Sequence, residues 1–470
     1  MNIDSLSQKL MGGIAFTLPF QIFALTVGGK AVESAHFLSL LLILPAALLV
    51  VWKGRFQRLA VAEKGVLLCF GVACLSLVAG QLTYGWPEQL SKGLQQIVGL
   101  AYVVMLFLTV RRSVSTPGAF QQVVSWLWRG LMVLAVLGLW QWLAFNLLKV
   151  TFLADWSWAK DLNPSIGGWR FGEYMGPIAR VNSFAPEPAF YCQLLMMGLG
   201  LVMVRLIPPP WVSRSVGVAW KAYLPSKAAA IMFLLAYILS LSLLGLVGLF
   251  ITTIGYMILS QRAKRISVLI LVLLIMVFTL DFFSGKTLSS KFGSIVLIIP
   301  GVEKEIVTQN LSALALAANL EVILKGFMIN PFLGWGIGGH ATAFILYAPT
   351  WAANPDLLPA IGTWDPASLL LRLISEMGLI GLVVFTGTFL LILWQAWRAV
   401  RRAGNSASNR EIVPLCTGLL IGAIAMILIY LVRMSNMLMI SFWFPLALVS
   451  AIPQVLESEK TDLESTSSPP

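Results

Sequence analysis

The sequence predicts an all-α polytopic membrane protein with about twelve transmembrane helices and a large periplasmic loop that carries short helices. Three observations predict it. The 470 residues are 58% hydrophobic and only 11% charged, against roughly 25% charged in an average soluble domain. Apolar stretches of bilayer length recur from Met11 to Gln454, separated by short charged loops. The basic residues alternate between dense and sparse loops, as the positive-inside rule describes.

Taken in order, the apolar runs predict helices near Met11–Gly28, Phe37–Trp52, Val66–Gly80, Gly93–Val110, Val123–Leu147 and Pro188–Leu206. They continue near Ala228–Leu243, Leu244–Ser260, Ile266–Phe283, Gly378–Trp397, Val413–Val432 and Met437–Val455. Lys9 precedes the first apolar run without a small-x-small cleavage pattern, so that run is read as an uncleaved span. An even count puts both termini in the cytoplasm. Residues 1–455 then form one bundle, and the Ser-, Glu- and Pro-rich residues 456–470 are expected to be a disordered cytoplasmic tail. The uncharged segment SLSLLGLVG (240–248) predicts either a very tight turn or a helix interrupted at membrane depth.

Two external loops are long, 149–186 and 284–374, and both are rich in Trp, Phe, Tyr and Leu. Loops of this length in a compact bundle are usually functional or disordered, and this composition argues against disorder. Residues 311–328 favour a helix at the membrane interface.

The net charge of +12 does not indicate nucleic acid. Lys53, Arg55, Arg58 and Lys64, then Arg111, Arg112 and Arg129, then Arg398, Arg401, Arg402 and Arg410, fall in segments predicted to be cytoplasmic, whereas the short loops opposite hold only Lys30, Lys92 and Arg433. Basic charge here orients helices. Cys69, Cys74, Cys192 and Cys416 lie in or beside apolar spans without CxxC spacing, which favours buried free thiols.

Chemically suggestive residues gather in the external loops. WRFGEYMGPIARVNSFAPEPAFY (169–191) crowds Arg170, Glu173, Arg180 and Glu187 against the start of a span. Ionisable groups at a membrane boundary cost free energy, and arginine suits phosphate because its planar donors can hold two oxygens. The competing reading is that Arg180 pairs with Glu187 or Glu173 and braces the loop. NPFLGWGIGGH (330–340) offers Gly336, Gly338 and Gly339 for close backbone approach to a ligand, and His340 as general base or phosphate donor. A lone histidine is more often a structural hydrogen-bonding residue. The G-x-G-x-G spacing is not that of a dinucleotide site, and the carboxylates lack metal-ligand spacing, so neither cofactor nor metal is expected. Glu376 in RLISEMGLIG (372–381) is read as a cap or brace.

The segments ARVNSFAPEPAFYCQLL (179–195), SLSLLGLVG (240–248), NPFLGWGIGGH (330–340) and PASLLLRLISEMGLIG (366–381), in this order, resemble the bacterial O-antigen ligase and polymerase superfamily. The resemblance implies a C-type glycosyltransferase in the bacterial inner membrane, acting at the outer face on undecaprenyl-diphosphate-linked glycans. It implies that Arg180, His340 and Glu187 are catalytic, with Arg180 on the diphosphate and His340 on the acceptor proton or a phosphate oxygen. Arg170, Glu173, Gly336, Gly338, Gly339 and Arg372 would contact substrate. The flippase and chain-length regulator of the same pathway would be partners besides the lipid bilayer. Ligases of this group usually place a second arginine in the large external loop, yet residues 284–371 offer only Lys286, Lys291, Lys304 and Lys325 as cations. That departure favours a polymerase of repeat units over a ligase that transfers polymer to lipid A core or protein. A transporter or flippase of lipid-linked glycan is the alternative from another class.

Overall fold

A computed structural model describes residues 3–19, 24–27, 30–52, 59–150, 174–175, 178–181, 183, 188–209, 224–260, 311–353, 366, 368–405, 412–433 and 436–467. Helix α1 (Ile3–Thr17) precedes an antiparallel hairpin of β1 (Ala24–Val27) and β2 (Lys30–Glu33), and α2 (Ser34–Trp52) follows. Next come α3 (Val61–Tyr84), α4 (Pro87–Ser113) and α5 (Pro117–Leu143), the last extended by a π turn over Ala144–Leu148. A second small hairpin pairs β3 (Tyr174–Met175) with β4 (Ile178–Ala179). The remaining helices are α6 (Pro188–Leu206), α7 (Lys227–Ile238), α8 (Leu243–Ser260), α9 (Leu311–Ile329), α10 (His340–Tyr347), α11 (Leu369–Asn405), α12 (Val413–Arg433) and α13 (Ile440–Ser467).

Local chemistry sets the boundaries. Gly85 stops α3 in the left-handed region at φ 64°, where glycine carries no Cβ penalty. Prolines open α4 and α5, where a missing N–H costs nothing. Ser226 caps α7 by accepting a hydrogen bond from the Ala229 N–H at 3.1 Å.

Among the described residues, seven helices are long and apolar enough to cross a membrane: α3, α4, α5 with its π turn, α6, α11, α12 and α13. Leu41–Trp52, Lys227–Ile238 and Leu243–Ile258 are shorter apolar helices. The chain is thus a multi-pass membrane protein. The expected span Ile266–Phe283 lies outside the described residues, as do positions 284–310 of the large loop.

Several sequence expectations change. The first helix stops at Thr17 and does not reach Gly28, because Pro19 disfavours helical backbone at the residue before it and cannot donate. The β1–β2 register pairs Val27 with Lys30, so strand replaces the helix expected over the end of this run. Helix α13 runs to Ser467, past Leu456 where the bundle was expected to give way to disorder. Helix α11 begins at Leu369, nine residues before the expected Gly378, and is broken there by non-helical backbone.

The bundle has two distinguishable ends. At one, the fully buried Glu63 of α3 receives Arg111 Nη1 at 3.0 Å, Arg112 Nε and Nη2 at 2.5 Å each, and the Ala60 N–H at 2.7 Å. The Ser458 hydroxyl of α13 donates to the Ser115 carbonyl at this same end, at 3.4 Å. Helix α1 runs parallel to α5, with Gly12 against Trp126 and Gly130 against Phe16, so the described start and finish of the chain share the clamp end.

The tightest contact joins α6 to α12. A Cβ on Gly200 would overlap the Gly418 carbonyl oxygen, and one on Gly422 would sit 2.5 Å from the Met197 carbonyl oxygen. Small residues let helices approach closely where lipid offers no hydrophobic drive for association. Gly200→Leu should therefore cost at least about 2 kcal/mol through overpacking, whereas Gly71→Ala, which meets nothing within 4 Å, should change stability by under about 0.5 kcal/mol. Thermal unfolding of the two variants in one detergent checks this. Equal midpoints would contradict the packing assignment.

Candidate functional site

The end opposite the Glu63 clamp carries the candidate residues in two groups. The first is built around Arg180. Asn146, in the π turn of α5, donates from Nδ2 to the Ala179 carbonyl at 3.0 Å and accepts the Ala179 N–H at Oδ1 at 2.8 Å. Gln141 Oε1 accepts the Ser183 N–H at 2.8 Å. Two amide side chains thus fix the backbone on either side of Arg180.

Arg180 is 7% exposed and donates from Nε to the Ser240 carbonyl at 3.4 Å. Ser240 lies in the connection between α7 and α8. Cys192 of α6 meets Ser240 Oγ at 2.7 Å, while Gly245 and Gly248 of α8 pack on Cys192 and Met196. Helix α8 therefore runs alongside α6 while α7 runs against it, and the chain reverses at Ser240–Ser242. The tight-turn alternative for SLSLLGLVG is the one observed, with Leu241 at φ 49°. A carbonyl at a buried helix end lacks an intrahelical partner and carries the negative end of the helix dipole. A guanidinium there satisfies both. At the opening of α8, the Ser242 hydroxyl accepts the Gly245 N–H at 3.4 Å.

The second group is built around the break at Gly378, whose φ of 61° and ψ of −157° suit glycine alone. The membrane-crossing part of α11 starts anew after it, so its first N–H groups need acceptors. Leu379 N–H donates to the Pro331 carbonyl at 2.8 Å and Ile380 N–H to the Phe332 carbonyl at 3.1 Å. On the other side of the break the Ser375 carbonyl accepts the Trp335 N–H at 2.9 Å, and the Glu376 carbonyl accepts the Ser76 hydroxyl at 2.5 Å.

The glycine run continues from this strap into the top of α3 and α4. Gly336 adopts φ 88°, and a Cβ there would stand 3.0 Å from the Gly80 Cα. A Cβ on Gly338 would stand 2.8 Å from the Gly93 nitrogen, and one on Gly339 2.7 Å from Gln89 Nε2. Gln89 Nε2 donates to the Trp335 carbonyl at 2.5 Å, and Tyr84 stacks on Trp335 with ring centroids 4.3 Å apart. Gly336, Gly338 and Gly339 were expected to approach a ligand, and here the partner they approach is the protein's own backbone.

His340 opens α10 and is 0% exposed. Its Nε2 lies 2.8 Å from Asn319 Oδ1 and its Nδ1 2.9 Å from Ser375 Oγ. Asn319 Nδ2 donates to the Ala315 carbonyl at 2.8 Å, which leaves Oδ1 as the acceptor facing the ring. Nε2–H then donates to Asn319, and Nδ1 shares a hydrogen bond with the Ser375 hydroxyl. With both nitrogens engaged and no water access, the imidazole braces α9 against α11. Arg372 and Glu376, one turn apart on α11, approach to 3.8 Å with exposures of 8% and 1%.

His340 thus meets Ser375; Gly336, Gly338 and Gly339 pack against α3 and α4, and Arg372 lies one turn from Glu376 on α11. Arg180 lies at the same end in the other helix group, and α12 and α13 pack against members of both. Arg170, Glu173 and Glu187 fall outside the described residues. Cys192 and Ser240 complete the first group; Ser76, Gln89, Asn319 and Ser375 complete the second and were not singled out in the sequence. Their signal was there, since a polar side chain within an apolar run needs a partner. A scan against protein-family models and a search of curated proteins both return no match.

His340→Leu should strand Asn319 and Ser375 and cost about 1–3 kcal/mol per unsatisfied group. The double variant with Asn319→Leu should cost less than the sum of the two single changes. Thermal unfolding of all three variants measures the coupling, and an unchanged midpoint for His340→Leu would mean that the ring braces nothing.

Proposed function

We propose that this chain is a metal-independent glycosyltransferase that polymerises undecaprenyl-diphosphate-linked oligosaccharide repeat units at the periplasmic face of the bacterial inner membrane. The observation that carries the reading is the buried Arg180 guanidinium at the α7–α8 reversal, at the end of the bundle away from the Glu63 clamp. In the reaction, an acceptor sugar hydroxyl attacks the anomeric carbon of the donor. The new glycosidic C–O bond forms as the bond from that carbon to the diphosphate oxygen breaks, and negative charge grows on the departing lipid diphosphate. Stabilising that charge is the largest contribution a protein can make to such a step. Arginine suits it, since its planar donors grip phosphate oxygens and it stays protonated. The opening turn of α8 beside it presents the positive end of a helix dipole.

The acceptor's proton requires a base. Glu187, next to Pro188 at the opening of α6, is assigned this role, because both nitrogens of His340 already hold hydrogen bonds. His340 is then a positioning residue that keeps α9, α10 and the strap in register. Arg170 and Glu173 are retained as substrate contacts from the same loop, and Arg372 as a contact from α11. The missing arginine in residues 284–371 supports repeat-unit polymerisation over ligation. The ionisable candidates gather in segments between apolar runs of the sequence, whereas transporters tend to hold their substrates at charged or broken-helix sites near mid-depth.

A deletion strain complemented with wild type, Arg180→Ala, Arg180→Lys or His340→Ala tests the assignment through the glycan ladder on a gel, normalised to protein level. Arg180→Ala should reduce the ladder to single repeats. Arg180→Lys should recover only a small part, since a point charge lacks the bidentate fork. His340→Ala should lower protein level more than ladder length per molecule. A full ladder from Arg180→Ala at wild-type abundance would refute the proposal, and long polymer stranded on the lipid carrier in the deletion strain would reassign the protein as a ligase.

A further inference from the structure

We propose that the first three turns of α5 form a binding site for the phosphate of an anionic phospholipid head group, in the leaflet at the clamp end of the bundle. A groove of about 330 Å³ is lined there by Gly118, Gln121, Gln122, Ser125, Trp126 and Arg129. Positions 118, 122, 125 and 129 follow the i, i+4, i+7, i+11 spacing of one helix face, so the groove runs lengthwise along α5. Arg129 is its one charge, and no carboxylate lines it.

Length puts the groove at head-group level. With its π turn α5 spans 32 residues, about 48 Å, against a hydrocarbon core of about 30 Å. About 12 residues must lie outside the core, counted over both ends, and Gln121, Gln122, Ser125 and Arg129 give the opening turns of α5 their polar side chains. Trp126 bears the signature of this depth, an aromatic with an apolar body and a polar edge. The Arg129 guanidinium lies 4.6 Å from its ring centroid, and a cation–π contact of this kind aims the charged group along the groove. Nothing lies within 4 Å of the point where a side chain on Gly118 would start, so the outer end of the groove is open.

These groups select one chemistry. The guanidinium matches a phosphodiester, the Gln amides and the Ser125 hydroxyl can bond its remaining oxygens and a glycerol head group, and Trp126, packed on Gly12 and Phe16 of α1, forms one wall of the groove. Lys9 is exposed on α1 one turn before Gly12, which packs on Trp126, and adds a second cation near the same spot. The positive-inside rule assigns this end to the cytoplasm. The site lies at the other end of the bundle from Arg180 and does not depend on the activity proposed above.

The full-length protein, purified and exchanged into mixed micelles of phosphatidylglycerol and phosphatidylcholine, gives the test through the lipids it retains in native mass spectrometry. Wild type should retain phosphatidylglycerol in preference to phosphatidylcholine by about fivefold, the worth of one well-placed cation at a membrane surface. Arg129→Gln should erase that preference. Arg129 is exposed, so the variant should unfold at the wild-type temperature. If it does not, Gln122→Leu serves as the second variant and should also reduce the preference. Millimolar inorganic phosphate should leave the lipid bound. Equal retention of both lipids by wild type, an undiminished preference in Arg129→Gln, or displacement by inorganic phosphate would each overturn the proposal.

Discussion

The end of this protein opposite the Glu63 clamp depends on how the break at Gly378 is closed. A helix interrupted inside a membrane protein exposes N–H and C=O groups that lipid cannot satisfy. Residues 331–335 supply what is missing on both sides, as carbonyl acceptors for Leu379 and Ile380 and as the N–H donor for Ser375. Ser76 satisfies the Glu376 carbonyl from α3. Once the strap is fixed in this way, the glycines after it have no choice of course, and they run between α3 and α4 to deliver His340 to Asn319 and Ser375. A hydrogen-bonding requirement of one residue's break thus positions four helices.

The reversal at Ser240–Ser242 poses the same problem with a different solution. There a charged side chain, not a backbone strap, meets the buried carbonyl, and the cation is held by a segment that Asn146 and Gln141 pin to α5. Placing a guanidinium in such a site is expensive unless it is compensated. Compensation by the Ser240 carbonyl gives Arg180 a fixed location. The two breaks thus divide the labour, one for rigidity and one for charge.

Much of the fold was legible because a bilayer allows few backbone solutions. Apolar runs bounded by prolines and glycines predicted α3, α4, α5, α6, α12 and most of α13, and the order of the external segments predicted that Arg180 and His340 share an end. The failures have physical causes. Hydropathy gave Met11–Gly28 as one run because it is blind to Pro19, and it started α11 at Gly378 because the residues before the break include Arg372 and Glu376, which read as loop. The glycine spacing at 334–339 is compatible with a ligand or with a neighbouring helix, and only the facing glycines Gly80 and Gly93, more than 240 residues earlier, decide for the helix. His340 was ambiguous for the same reason, since Asn319 and Ser375 cannot be matched to it by spacing.

Helix α7 is 12 residues long, about 18 Å, yet Ile231, Met232 and Leu235 point outward on it. A hydrocarbon core of about 30 Å is about 12 Å deeper than such a helix is long, a mismatch of the kind that a bilayer meets by local thinning. The flank formed by α7 thus departs from that of the seven long helices.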